Sequence, residues 1–300
     1  MQTKALATSQ ATSDADLINL WLHGKSLKTQ RAYRADIARF QEYIGNVPLG
    51  LVTLRHLQEF ADDLAAGSLA AASQARTLAA VKSLLSFAHK LGYTTFNVGA
   101  ALELPAREDR LAERILSEAD MFRILQGESD PRRLLILKML YYLGLRAAEL
   151  ASLKWRHCTP EGNTGKLAVY GKGNRTRWIQ LPQWLWIELM STQPDNLNTE
   201  TPIFPSRGIW DNQLNDWRNK GGHVDPSEVW RIVKRATRRV GLAAPSPHWF
   251  RHAHASHAMD RGADVREVQA TLGHANLATT GRYLHVKPGK STGDYLASPH

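Results

Sequence analysis

Hydrophobic residues recur at helical spacing through most of this chain, and the pattern changes to that of strands over one stretch, residues 166–181. Tyr33, Ile37, Phe40 and Ile44 follow at intervals of four, three and four, which predicts an amphipathic helix after Ser26. Leu17, Leu20, Trp21 and Leu22 open an earlier helix. A third is expected over 53–66, ending near Gly67, and a fourth carries Leu78, Val81, Leu84, Leu85 and Ala88 with Gly92 as its cap. Residues 14–98 therefore read as a small all-helical bundle. Within 166–181, KLAVY and RTRWIQL are β-rich runs separated by GKGN, a hairpin turn with Lys172 at its tip. Helices resume near Trp184, where Trp184 and Trp186 read as core. Residues 191–227 read as loop, punctuated by proline and glycine. The fold class expected is mainly α with a small β-sheet.

Residues 102–113, LELPAREDRLAE, are charged, contain Pro105 and lack an apolar period, as a linker would. The expected organisation is a disordered start (1–13), a helical domain (14–98), a linker (99–113), an α+β domain (114–286) and a tail (287–300). Ser117 with Asp120 three residues on forms a capping-box start for the second domain, and the helix containing 134–143 is its expected core. The apolar stretch LLILKMLYYLGL contains Lys138 and is too short to cross a bilayer. The first residues show no secretory h-region. Cys158 is the only cysteine, which excludes an intrachain disulfide and a thiolate zinc site and fits a cytoplasmic protein.

Charge is uneven. Residues 1–104 hold 10 Lys/Arg against 8 Asp/Glu, and the remainder hold 28 against 20, within a formal net charge of +10. Such an excess suits a polyanionic partner, nucleic acid first. A helix expected over 227–240 concentrates it: Arg231, Lys234, Arg235, Arg238 and Arg239 surround an apolar stripe of Val229, Ile232, Val233, Ala236 and Val240. Neighbouring like charges repel unless an anion lies near. Lys28, Arg31 and Arg34 lie off the apolar stripe of their helix, as a solvated face or as phosphate contacts.

A cluster near the C-terminus carries the chemistry. Ser246-Pro247 is a helix start, and His248 and Arg251, three apart, share one face near its positive end. Asp264 and Glu267 bracket another helix start, Gly273 ends that helix, and His274 follows. Tyr283 comes nine residues later. Arg146 in YLGLRAAEL and Lys172 add positive charge from upstream. A phenol among cations suits attack on a phosphate diester. Charge builds on the non-bridging oxygens, and the planar fork of arginine matches two of them. His248 suits the base that takes the phenolic proton, and Lys172 the acid that protonates the leaving sugar oxygen. His254 and His257 in HWFRHAHASH read as structural histidines rather than metal ligands.

Arg146, Lys172, His248-x-x-Arg251, His274 and Tyr283 occur in the order found in the tyrosine recombinases of the phage integrase family, which this chain resembles, Xer-type and integron-like integrases in size. Glu149 matches an acidic residue that supports such sites. The segment SLKTQRAYRADIARFQEYI is similar to the family's core-binding domain, a SAM-like helical bundle. The resemblance implies a site-specific DNA recombinase with a clamp on double-stranded DNA, a 3′-phosphotyrosyl intermediate, a tetrameric synapse and a Holliday junction. It implies neither ATP nor metal nor other cofactor, and a bacterial, nucleoid-associated setting. The DNA contacts expected are Lys28, Arg31, Arg34, Arg76, Lys82, Arg175, Arg231, Lys234 and Arg235. A type IB topoisomerase shares this chemistry, and a silent DNA-binding or synapsis protein shares the electrostatics. GIWDNQLNDWRNKGGHVD, residues 208–225, is longer than the usual family connection, and Tyr295 and Leu296 are candidate anchors of the tail on a neighbouring protomer.

Overall fold

The computed structural model of the chain describes residues 10–105, 115–171, 176–211, 216–218, 220–242 and 246–273, with backbone alone at 209–211 and 216–218. The chain divides into two compact units, residues 1–108 and 109–300.

The first unit is helical. It comprises α1 (Asp14–Leu22), α2 (Leu27–Ile44), α3 (Leu54–Ala66) and α4 (Ala71–Lys90). Ser13, Ser26 and Thr53 cap α1, α2 and α3, each accepting a backbone N–H of the first turn with its hydroxyl. The apolar stripes close on one core that includes Leu17, Trp21, Ile37, Phe40, Leu57, Phe60, Leu78, Val81 and Leu84. Tyr33 stacks on Trp21 at 5.0 Å between centroids. Leu20, expected with that stripe, faces outward. Asp36 lies fully buried among these apolar groups. The Arg76 guanidinium grips it bidentately at 3.0 and 2.9 Å, and the Thr77 hydroxyl donates to it at 2.9 Å.

The second unit begins with α5 (Glu118–Gln126), α6 (Pro131–Tyr142) and α7 (Ala147–Ala151). Three antiparallel strands follow in the order β1 (Cys158–Glu161), β2 (Thr164–Tyr170) and β3 (Thr176–Gln180). The register sets Leu167 opposite Ile179 and Val169 opposite Arg177. Next come α8 (Gln183–Met190), β4 (Ile209–Asp211), β5 (Asp216–Arg218), α9 (Pro226–Arg239), α10 (Pro247–Asp260) and α11 (Val265–Leu272). The core includes Leu135, Ile136, Leu137, Met139 and Leu140 of α6, Phe250 and Ala253 of α10, the α9 stripe, and Leu167, Val169 and Ile179 of the sheet. Helix α6 is apolar nearly all round because its neighbours enclose it. Beyond the arginines of its first turn, Arg132 and Arg133, its one charge is Lys138, met by Glu188 at 2.7 Å. Among the described residues no helix is long and apolar enough to cross a membrane.

Sequence expectations change at further points. Ala11 and Ser13, expected within a disordered start, join the first core and cap α1 respectively. The hairpin gains a third strand, β1. The stretch 191–227, read as loop, contains the antiparallel pair β4 and β5, with Trp210 opposite Trp217. Trp186 is core, but Trp184 is 44% exposed. Its ring meets the edge of Tyr142, and the Lys138 ammonium lies 5.6 Å above it.

Among the described residues of the first unit Asp36 is the one fully buried acid, and Arg76 is its cationic partner. Arg76→Ala strands the Asp36 carboxylate and costs about 1–3 kcal/mol, discounted for the half-exposed guanidinium. Amide hydrogen exchange on the full chain should show α2 and α4 losing protection by that amount while α6 is unchanged. Equal loss in both units would contradict the assignment.

Candidate active site

Arg146 occupies the N-cap of α7, and Glu149 lies one turn on. The Glu149 carboxylate reaches back to accept the Arg146 backbone N–H at 2.9 Å, the reciprocal half of a capping box. It also accepts from the Arg146 guanidinium at 2.7 Å. From β3, Arg177 closes on the same carboxylate with two parallel bonds of 2.9 and 2.8 Å. Glu149 is 5% exposed. Burial alone would raise its pKa, but the bonds from Arg177 and Arg146 more than reverse this and hold it at about 2, against a usual 4.5.

A second arginine network fixes the neighbouring backbone. Helix α10 starts on Ser246 with Pro247 in its first turn. That start sends Phe250 and Arg251 inward, and Arg251 is 2% exposed. Its Nη1 donates to the Gly144 carbonyl at 2.6 Å, and its Nη2 donates to the Leu272 carbonyl. Arg177 Nε donates to the Thr271 carbonyl at 2.7 Å. The last turn of α11 is thus held by two guanidinium groups at its negative end.

Two glycines make this approach possible. Gly144 has φ +58, and a Cβ there would come within 2.7 Å of Leu272 and 2.9 Å of His254. Gly273 caps α11 in the left-handed conformation, φ +65, and a Cβ there would lie 3.0 Å from Arg177 Cδ. Asp264 caps the start of α11 and Glu267 returns the bond, as the sequence predicts.

The structure therefore brings Arg146, Glu149 and Arg251 into one framework. His248 is exposed one turn before Arg251, with its ring 5.4 Å from that of His252. Lys172, Arg175, His274 and Tyr283 lie outside the described residues. Lys172 and Arg175 fall between β2 and β3, and His274 directly follows Gly273. The two histidines that invited a metal reading have internal places. His257 Nδ1 is 2.9 Å from the Tyr141 hydroxyl. Burial pushes the pKa of His254 down to about 4, against a bond to the Tyr141 backbone. Among the described residues no three His, Cys, Asp or Glu side chains converge to hold a metal.

The expected DNA contacts divide into two sets. Lys28, Arg31, Arg34, Arg231 and Arg235 are exposed, and Lys234 lies 5.4 Å over the Trp230 ring. Arg34 also donates to Asn19 at 2.9 Å, and Arg231 pairs with Glu228 at 2.9 Å. Arg76 and Lys82 have internal partners: Arg76 holds Asp36, and Lys82 donates to the Leu102 carbonyl at 2.6 Å.

Sequence reasoning passed over Arg177. Strand alternation could have found it. Arg177 shares the inward face with Ile179, opposite Val169, and an inward arginine demands a buried acid.

The chain matches the phage integrase family over residues 111–290 and the N-terminal SAM-like domain of phage integrases over residues 17–92. Tyrosine recombinase XerD of Rhizobium meliloti (strain 1021) is 30% identical over 283 residues, which cover 88% of this chain and 86% of that protein. A lambda integrase dimer bound to a COC' core site has a TM-score of 0.71 at 17% identity, covering 94% of this chain and 79% of that one. A lambda integrase tetramer bound to a Holliday junction has a TM-score of 0.68 at 18% identity, covering 92% and 82%. These structural likenesses show the fold, and the SAM-like unit is the one matched over residues 17–92. The chain belongs to the phage integrase family, the tyrosine recombinases.

Glu149 should set an acid limb of stability. A carboxyl held below its usual pKa stabilises the fold fully above about 4.5, and the contribution disappears as pH falls toward about 2. The depression corresponds to about 3 kcal/mol. Amide exchange in α7 and α11 should show Glu149→Gln weaker than wild type at pH 6, with the gap narrowing by pH 3. A gap independent of pH would refute this.

Proposed function

We propose that this protein is a site-specific DNA recombinase that cuts and rejoins strands through a covalent bond between Tyr283 and a 3′-phosphate. The observation that carries the reading is the shared framework of Arg146 and Arg251. One guanidinium lies at the start of α7, and the other is bonded to the carbonyl of Gly144, two residues before it.

In the proposed reaction the Tyr283 oxygen attacks phosphorus as the bond to the 5′ oxygen breaks. Arg146 and Arg251 bind the non-bridging oxygens, where negative charge develops. A free phenol has a pKa near 10, so its proton must go to a neighbour, and His248 is assigned as that base. Lys172 protonates the departing 5′ oxygen, and His274 adds a further donor at the phosphate. A 5′ hydroxyl from a partner strand then attacks the phosphotyrosine and releases Tyr283. The phosphodiester energy is kept in the covalent bond, so neither step requires ATP.

Residues 14–98 are assigned to gripping DNA together with the unit spanning 114–286, joined by a linker at 99–113. The tail, 287–300, is assigned to docking on a neighbouring protomer. The exposed cations Lys28, Arg31, Arg34, Arg231 and Arg235, with Lys234 and Arg175, are the proposed phosphate contacts. A tetrameric synapse on double-stranded DNA is supported by the lambda integrase tetramer on a Holliday junction.

A duplex carrying a nick near the cleavage site loses a short fragment after attack and traps the adduct. Incubation with the full chain should give a covalent complex that denaturing electrophoresis resolves, and Tyr283→Phe should abolish it. An undiminished adduct in that variant would refute the nucleophile. Relaxation of any supercoiled plasmid, without a preferred site, would point to a topoisomerase instead.

A further inference from the structure

The active-site reading leaves Arg177, a partly buried cation beside the site, without a role. Arg177 is 12% exposed along its side chain. Its Nη1 and Nη2 are taken up by Glu149, and its Nε by the Thr271 carbonyl. A guanidinium enclosed in this way is poorly placed to bind a DNA phosphate itself. It does touch both sides of the site: the acid beside Arg146 and the helix end that precedes His274.

Charge counting gives this contact a consequence. Arg146 and Glu149 alone would form a neutral pair, and a neutral pair binds a phosphate weakly. Arg177 brings a second positive charge to the same carboxylate, so the trio carries one net positive charge. Arg146 is its more exposed member, with a side chain 37% exposed against 12% for Arg177. The surplus charge is therefore presented at Arg146, the group assigned to the phosphate. The bond to Thr271 adds a geometric effect, because it fixes the last turn of α11 directly before His274.

We propose that Arg177 is a positioning residue for DNA cleavage: it offsets the charge of Glu149 so that Arg146 stays effectively cationic, and it tethers the end of α11 that delivers His274. This rests on the recombinase reading above, and it adds a residue that acts through Arg146 and His274 rather than on the DNA.

The test is single-turnover cleavage of the nicked duplex by the full chain, alongside DNA affinity and thermal unfolding. Wild-type adduct that disappears in Tyr283→Phe validates the assay; absence of any wild-type adduct would count against the recombinase reading, not against this role. With adduct present, Arg177→Gln should bind duplex within about threefold of wild type and cleave ~10²-fold more slowly, the scale of losing one preorganised electrostatic group. Arg177→Lys keeps the charge but not the fork, and should lose about tenfold. Glu149→Gln added to Arg177→Gln removes the uncompensated acid, so the double variant should cleave no more slowly than Arg177→Gln alone. Cleavage within threefold of wild type in Arg177→Gln would overturn the proposal. So would multiplied losses in the double variant, or a rate loss in Arg177→Lys that merely follows lost folding or lost DNA binding.

Discussion

Glu149 is a carboxylate almost removed from water, and ionisation there is stable only while two guanidinium groups and a backbone N–H surround it. Those partners come from the N-cap of α7 and from β3, and the β3 arginine continues to the end of α11. A buried charge of this kind tolerates no slack, because losing one partner leaves the remainder uncompensated in a medium that screens poorly. The position of α7 relative to the sheet and to α11 therefore follows from satisfying one acid. Arg251 applies the same constraint to the turn ahead of Arg146 and, once more, to the end of α11.

The device recurs away from the site. Asp36 pins α2 to α4 through Arg76 and Thr77. Glu128, buried between α5 and α6, is bound by Arg133 at 3.0 Å and by Arg239 of α9 at 2.9 Å. Burial would raise the Glu128 pKa, but these arginines and the Asp130 N–H bring it below its usual value. Arg239 also donates to the Gly127 carbonyl at 3.1 Å. The basic helix is consequently not uniform. Its last arginine fastens it to the unit, while Arg231, Arg235 and Arg238 face outward.

Much of this was legible because helical order is local. Stripes at three and four residues, and caps such as Ser26, Ser117 and Asp264, lie within a single turn of the backbone they organise. The hairpin of β2 and β3 was equally readable. Strand β1, CTPE, is four residues with a proline, too short and irregular to show alternation, and β4 and β5 have three residues each. Trp184 misled because aromatic residues also cover partly exposed surfaces when a cation lies over them. The motif of Arg146, His248 and Arg251 could be read along the chain, but the partners of Arg177 could not. They stand 28 and 94 residues away, and no local pattern announces pairings at such separations. The same distance hid the internal engagement of Arg76, 40 residues from Asp36.

Each described residue of the candidate site lies at or near the start of an element, and the reason is electrostatic. A helix start exposes unpaired N–H groups and a partial positive charge, and a helix end exposes unpaired carbonyls and a partial negative charge. Glu149 answers the first at α7, and Arg177 and Arg251 answer the second at α11. Those termini would be costly to bury unsatisfied, so the charged groups of the candidate site are also what allows it to be compact. The bonds Arg251 makes to Gly144 and Leu272 are to neutral carbonyl dipoles, which hold a guanidinium in place without cancelling its charge. Arg146, by contrast, sits against a full negative charge and keeps its own only because Arg177 shares that acid. The two arginines assigned to the phosphate are thus preorganised by different means, one by dipoles and one by a balanced ion trio, and both means converge on the last turn of α11.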